Sequence, residues 1–418
     1  MTDASDGYRS TGSPGFAAAA DAVATSLRAS GWTVSDDPFT APTFTDDGGS
    51  SLESGGQRFG GDDIRPLIFA PAGDVTGPVV AIDWQPGPTA RDGKGCRTAD
   101  YGDLPAGAVV LVRPGPCFRR EQVLAAQVAG AAAFVAGYGG APTGAAPRAT
   151  LIDPGGLTIP AIGATGHAAD ALAAVAEAGG VARVATTGRT VEASTRSIIA
   201  ELPGSEPSSV VMLGAHLDSV LDGPGLNDDG SGVAALLAIA RALQGTRPRA
   251  TVRLAFWSGE ELGLLGSSHY VAGLTEAQRA AVVAYLNADM IGSPNGYGGV
   301  YHEVDAPPGS TAVAALLDAA VERAGGKPVE VTIGGSSDHV AFGQAGIPIG
   351  GLFSGASEAV TTAQATSSGA TAGQPADACY HQACDGLENV DLGLARQLTA
   401  ALADVAVRLA NTPELLVR

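Results

Sequence analysis

Eight side chains in the C-terminal half have the types and spacing for metal-assisted hydrolysis: His216, Asp218, Asp228, Glu260, Glu261, Asp289, Tyr380 and His381. Imidazole nitrogen and carboxylate oxygen together are the donor mixture suited to Zn²⁺. A single catalytic zinc needs three protein ligands, whereas His216, Asp228, Glu261, Asp289 and His381 offer five without Glu260. Five is the right number for two ions sharing one carboxylate, with bound water as the nucleophile. A carboxylate beside a ligand must still carry protons to the leaving group, and the tandem Glu260-Glu261 supplies both roles if an extended backbone sends the two side chains in opposite directions. Each piece alone has an ordinary reading: His-x-Asp is usually a hydrogen-bonded pair, Asn227-Asp228-Asp229-Gly230 a turn or helix cap, Glu-Glu a solvated surface. Their neighbours argue otherwise, since Trp257, Leu286, Ala288 and Met290 set these carboxylates beside core, where unpaired charge is costly and a cation removes the cost.

The elements that must hold these side chains follow from the apolar pattern. Short apolar runs at 209–214, 251–257, 282–286 and 329–333 predict strands; between and after them, amphipathic stretches at 231–244, 262–272, 311–324 and 392–410 predict helices. This alternation implies an α/β domain with a mostly parallel sheet covered on both faces, where ligands collect at strand ends. Most of the candidate residues directly follow predicted strands. Upstream, residues 14–32 read as a helix entered by Pro14 and closed by Gly31. Residues 43–63 have the Gly/Ser/Asp composition of a linker or of turns between short strands. Residues 64–188 read as a small, mostly β unit with strands at 66–69, 79–82 and 108–112 and one helix at 120–129; its only histidine is His167.

The chain of 418 residues carries a net charge of −19, so its field repels phosphate backbones and anionic lipid, and nucleic acid is excluded as the main partner. No apolar stretch is long enough to predict a membrane span. Residues 1–6 have neither a basic nor an apolar signal region, which fits a cytosolic protein or one whose signal segment is absent from this sequence. Four cysteines fall in two local pairs, Cys96 with Cys117 and Cys379 with Cys384, which suits two disulfides and a secreted protein; four buried thiols are the alternative. With no heptad run or extended apolar stripe, the expected state is a monomer.

The ordered stretches AHLDS, LNDDGSG, WSGEELGLLGS, LNADMIGSPN, SDHVAF and CYHQACD, between Ala215 and Asp385, resemble those of the secreted bacterial double-zinc leucine aminopeptidases, within the co-catalytic zinc exopeptidases. The resemblance implies a three-layer αβα domain with a mostly parallel, mixed central sheet. It implies that His216 and Asp289 hold one zinc, that Glu261 and His381 hold the other, that Asp228 bridges them, and that Glu260 is the general base. Tyr380 would then steady the oxyanion and Asp218 would orient the His216 imidazole. The peptide between Asp228 and Asp229 would be cis, and a Cys379–Cys384 bridge would fix the loop carrying Tyr380 and His381. The middle of the chain, with its YGDLPAGAVVLVRPGPCF and LTIPAIGA stretches, is similar to a protease-associated domain stapled by Cys96–Cys117. The expected division is peptidase domain at 1–45, insert at 46–190 and catalytic part at 191–418.

The implied activity is removal of the first residue from peptides with a free N-terminus. Met290, Phe342 and Phe353 would give an apolar pocket for a leucine-like side chain. One departure from relatives is Ser336, where Arg often precedes Ser337-Asp338-His339. His339 itself is expected to be structural, because the ligand set is complete without it. Calcium sites occur in some relatives, and no residues here are assigned to one. A carboxypeptidase or other di-zinc amidohydrolase is the alternative, but it would need a cation for the substrate carboxylate, and the arginines of this half fall mostly in or beside helices.

Overall fold

The computed structural model describes residues 7–84, 94–138 and 144–416, so the reading of residues 1–6 lies outside it. The chain divides into two compact units: residues up to Ala41 with those from Ser194 onward, and Pro42–Ala193 between them.

In the first unit an eight-stranded sheet is built from β1 (Thr33–Thr45), β2 (Arg189–Leu202), β3 (Glu206–His216), β4 (Ala250–Trp257), β5 (Val282–Ala288), β6 (Gly298–Tyr301), β7 (Pro328–Val331) and β8 (Ile349–Phe353). Their order across the sheet is β1-β2-β4-β3-β5-β8-β6-β7. The central strands β4, β3, β5 and β8 are parallel, while β2 and β6 run antiparallel to their neighbours β4 and β8. The period of two assigns alternate residues to opposite faces. Val211, Leu213 and Ala215 face a core completed by helices α1 (Pro14–Ala29), α2 (Gly230–Ala242), α4 (Ser310–Arg323) and α5 (Leu392–Asn411). Met212, Ala255 and Trp257 face the opposite core with α3 (Leu265–Gly273) and the short helix His339–Gln344. The result is the expected three layers with a mixed sheet. The pattern missed β6 and β8 because each is short and glycine-rich, with two glycines in each.

Local sequence sets the ends of these elements. Ser13 caps α1 by accepting from the Phe16 N–H at 3.1 Å, and Pro14 opens the helix. The Trp32 indole, just past the end of α1, donates to the Ala240 carbonyl at 3.0 Å and ties α1 to α2.

The second unit has its own eight-stranded sheet and a core that includes Leu52, Val109, Val135, Ile162 and Leu172. Of the two readings of residues 43–63, the structure bears out turns between short strands, which are Ser51–Ser54 and Gln57–Phe59. The expected strand at 66–69 is instead Ile64–Pro66, because Phe69 takes a positive φ of 72° and breaks the run. A second helix, Gly166–Glu177, joins Arg119–Val128; its buried face is mainly alanine, which gives little apolar contrast in the sequence. Cys96 and Cys117 are joined in a disulfide.

Candidate active site

The parallel register builds the site. His216, the last residue of β3, pairs with Trp257 at the end of β4, and Gly214 pairs with Asn287 of β5. The chain segments leaving all three strands therefore emerge at one edge of the sheet. Asp229 caps α2 through the Gly232 N–H at 2.9 Å and accepts from the N–H groups of His216 (3.2 Å) and Met290 (3.1 Å), tying together the three segments that carry His216, Asp228 and Asp289. The peptide between Asp228 and Asp229 is cis.

His216, Asp228 and Asp289 come together as one group of potential metal ligands, and Asp228, Glu261 and His381 as another, so Asp228 belongs to both. Its Oδ1 lies 3.0 Å from His216 Nε2 and its Oδ2 lies 3.1 Å from His381 Nε2. Asp289 Oδ1 is 3.6 Å from His216 Nε2, and Glu261 Oε2 is 3.0 Å from His381 Nε2. Glu260 Oε2 stands farther off, 4.0 Å from His216 Nε2. Both glutamates reach the site, but from a turn after β4 entered through Gly259 at φ 78°, not from the extended backbone the sequence reading assumed.

Asp218 acts differently from the expectation. His216 Nδ1 donates to the Asp218 main-chain carbonyl at 3.1 Å, and that carbonyl holds the ring with Nε2 toward the other ligands. The Asp218 carboxylate is 3.7 Å from Nδ1 and instead accepts from the N–H groups of Glu260 (3.2 Å) and Glu261 (3.4 Å) and from the Thr11 hydroxyl (3.0 Å). It fixes the turn that carries both glutamates.

Burial pushes the Glu260 carboxyl well above the usual range, with Glu261 and Asp289 adding to the effect and His216 opposing it. Glu261 is pushed up to about 6, chiefly by burial and against the pull of His381. Burial also acts to lower His381, yet the carboxylates of Glu261 and Asp228 outweigh it and hold the imidazole at about 10. The two imidazoles thus serve as counter-ions to buried carboxylates. They do not satisfy the site, since Glu261 Oε1 is buried without a hydrogen-bond partner. Buried acids in excess, imidazole nitrogens aimed inward and an orphaned carboxylate oxygen all fit divalent cations.

Tyr380 stacks on His381 with ring centroids 3.8 Å apart, in the loop closed by the Cys379–Cys384 disulfide. Burial and the surrounding carboxylates raise its hydroxyl well above 10, so it stays protonated. Met290 is buried next to Asp289, and Phe353 is half-buried at the end of β8. Phe342 must be withdrawn from the pocket: it is fully buried in the core and stacks on Tyr285 at 3.8 Å, leaving no surface for a substrate. His339 is also buried, edge-on to Tyr301 with ring centroids 4.9 Å apart.

Several site residues escaped the sequence reading. Ser337 donates to Asp289 Oδ2 at 2.6 Å and accepts from Asn287 at 2.7 Å, which leaves Asp289 Oδ1 toward His216. Asp377 and Asp385 flank the disulfide loop, and the Asn389 amide donates to both at 2.9–3.1 Å. Asp385 in turn accepts from the Asn227 and Asp228 N–H groups at 2.9 and 3.1 Å, tying the His381 loop to the Asp228 loop. Arg9 is buried against the segment after His216. An acid just outside a cysteine loop was the only local signal for Asp377 and Asp385, and a lone arginine before a helix cap gives none.

Residues 197–406 match the family described as peptidase family M28, and residues 75–172 match the PA domain. An aminopeptidase of Pseudomonas aeruginosa is 35% identical over 92% of this chain and 74% of its own length. A probable leucine aminopeptidase 2 of Aspergillus fumigatus is 34% identical over 79% of this chain and 65% of its own length. A solved structure of a zinc aminopeptidase from Bacillus subtilis shares the fold, with a TM-score of 0.75, 24% identity and coverage of 98% of this chain and 92% of that one. The chain belongs to peptidase family M28, as a metallo-aminopeptidase that carries a PA domain.

Proposed function

We propose that the protein is a secreted di-zinc aminopeptidase that releases an apolar, leucine-like first residue from peptides with a free N-terminus. The observation that carries the two-ion reading is the Asp228 carboxylate, whose two oxygens each face a different imidazole. His216 and Asp289 would hold one ion, Glu261 and His381 the other, and Asp228 both. Bound zinc supplies polarisation of the scissile carbonyl and a more acidic water.

The chain's own residues do the rest. Glu260 lies 4.0 Å from His216 Nε2 and groups with His216 and Glu261 but not with Asp228, which sets it beside the ions to take a proton from water and return it to the departing amine. Burial raises its pKa, which favours its holding the proton in transit. The Tyr380 hydroxyl is a protonated donor for the substrate oxygen as negative charge develops there. The substrate's α-ammonium would meet the carboxylates of Glu260 and Asp289. Apolar preference is supported by the relative named leucine aminopeptidase and by the half-buried Phe353, whereas Met290, 3% exposed, offers a substrate almost no surface. The two disulfides support an oxidising compartment, and no described helix is long and apolar enough to cross a membrane.

The test is hydrolysis of leucine p-nitroanilide against its N-acetylated counterpart, before and after a chelator. Cleavage confined to the free amine and abolished by chelation is expected. Equal cleavage of the blocked substrate would overturn the exopeptidase reading in favour of a broader amidohydrolase.

A further inference from the structure

Arg9 is 3% exposed and, among the described residues, is the one lysine or arginine that is buried. Its guanidinium is spent on main-chain carbonyls: Nε donates to Leu217 and Nη2 to Gly225, each at 2.9 Å, and Nη1 donates to Pro224. The Arg9 N–H also donates to Ser219 Oγ at 2.9 Å, and its carbonyl accepts from the Ser219 N–H at 3.3 Å. Two residues on, Thr11 donates to Asp218 Oδ2, the carboxylate that also holds the Glu260-Glu261 turn. The clasped segment has His216 immediately before it and Asp228 three residues after it. Close packing holds its far end, because a Cβ on Gly225, at φ 61°, would stand 2.3 Å from the Asp228 carbonyl.

We propose that Arg9 and Thr11 are positioning residues for the metal site: the planar guanidinium fork clamps residues 217–225, and through that loop and Asp218 it sets the placement of His216, Asp228, Glu260 and Glu261. The fork matters as well as the charge, since three carbonyls in different directions match a guanidinium and not the point charge of an ammonium. The proposal rests on the ligand reading above and adds residues remote from it in sequence.

Arg9→Met, Arg9→Lys and Thr11→Val test it through zinc affinity, measured by competition with a chromophoric chelator on stripped and reloaded protein, and through kcat and KM. Outer partners of metal ligands typically change affinity by about 10–100-fold. A loss in that range is expected for Arg9→Met, a similar loss for Arg9→Lys, and roughly tenfold for Thr11→Val, with kcat reduced and KM little changed. A merely structural role would lower the unfolding temperature while zinc affinity and kcat stayed at wild-type values, and that outcome overturns the proposal. So does wild-type affinity in Arg9→Lys. If Arg9→Met fails to fold, Thr11→Val, which deletes one hydroxyl, still decides. His216→Ala and His381→Ala serve as controls: full zinc retention there would overturn the ligand reading itself, whereas normal loss there with unchanged affinity in the Arg9 and Thr11 variants overturns this proposal alone.

Discussion

Nε2 of His381 lies 3.0 Å from Glu261 Oε2, although the imidazole comes from the disulfide loop near the end of the chain and the carboxylate from the turn after β4. Asp228 completes that group and belongs equally to the one around His216. Asp228→Ala is therefore expected to lose both ions, and His381→Ala to keep one with reduced affinity. Metal analysis after dialysis gives the stoichiometry. One ion retained at full affinity by Asp228→Ala would show that this carboxylate does not bridge.

Glu260→Gln preserves shape and removes the basic oxygen. The expected result is a fall in kcat of roughly 10²–10⁴-fold with zinc content unchanged, the range of general acid–base catalysis. Zinc loss in this variant would make Glu260 a ligand instead.

Asn389 spans two buried acids, so Asn389→Leu leaves Asp377 and Asp385 each short of a donor. Loss of about 2–3 kcal/mol in urea unfolding is expected, from the cost of unsatisfied buried polar groups. Stability within about 0.5 kcal/mol of wild type would show that solvent replaces the amide.

Burial lowers the His339 pKa from 6.5 to about 4, against the pull of Asp289 and a bond to Gly334; Glu303 and Tyr301 also face it. The unfolded chain takes up a proton near pH 6.5 that the folded chain refuses until about pH 4. Its contribution to stability is thus present above pH 6.5 and is lost as pH falls toward 4, by about 3 kcal/mol. His339→Asn should flatten the stability profile across that window, as read by denaturant unfolding at each pH. An unchanged slope would rule this histidine out as the source.

Phe342→Ala opens a cavity beside Tyr285 and Trp257. A loss of about 3–5 kcal/mol is expected, with the order of preference among leucine, phenylalanine and alanine p-nitroanilides unchanged. A reversed order would restore Phe342 to the pocket.

The α/β layering and the five candidate ligands were legible because strand periodicity and strand-end placement are local signals. Phe342 misled because an aromatic in an apolar run near a site motif reads alike whether it faces a cleft or the core; only the packing of the helix His339–Gln344 on Tyr285 of β5 settles which. Asp218 misled for a related reason: the sequence gives its distance from His216 but not which of its oxygens does the work, and here the main-chain oxygen orients the ring. Arg9 and Thr11 were invisible because their partners arrive from more than 200 positions away, whereas Asn389 has its partners 4 and 12 positions away but lies in no motif that marks it.

That distance also bears on how the enzyme is made. Strands β1 and β2 bracket the Pro42–Ala193 unit as sheet neighbours, and the unit has its own core, so it can form first as an independent module. Doing so shortens the span between Arg9 and Leu217 about fourfold, which eases loop closure by about 1 kcal/mol. His381, by contrast, follows every other candidate ligand in chain order. A chain translated only as far as Asp289 therefore lacks one candidate ligand, however well its earlier parts have folded.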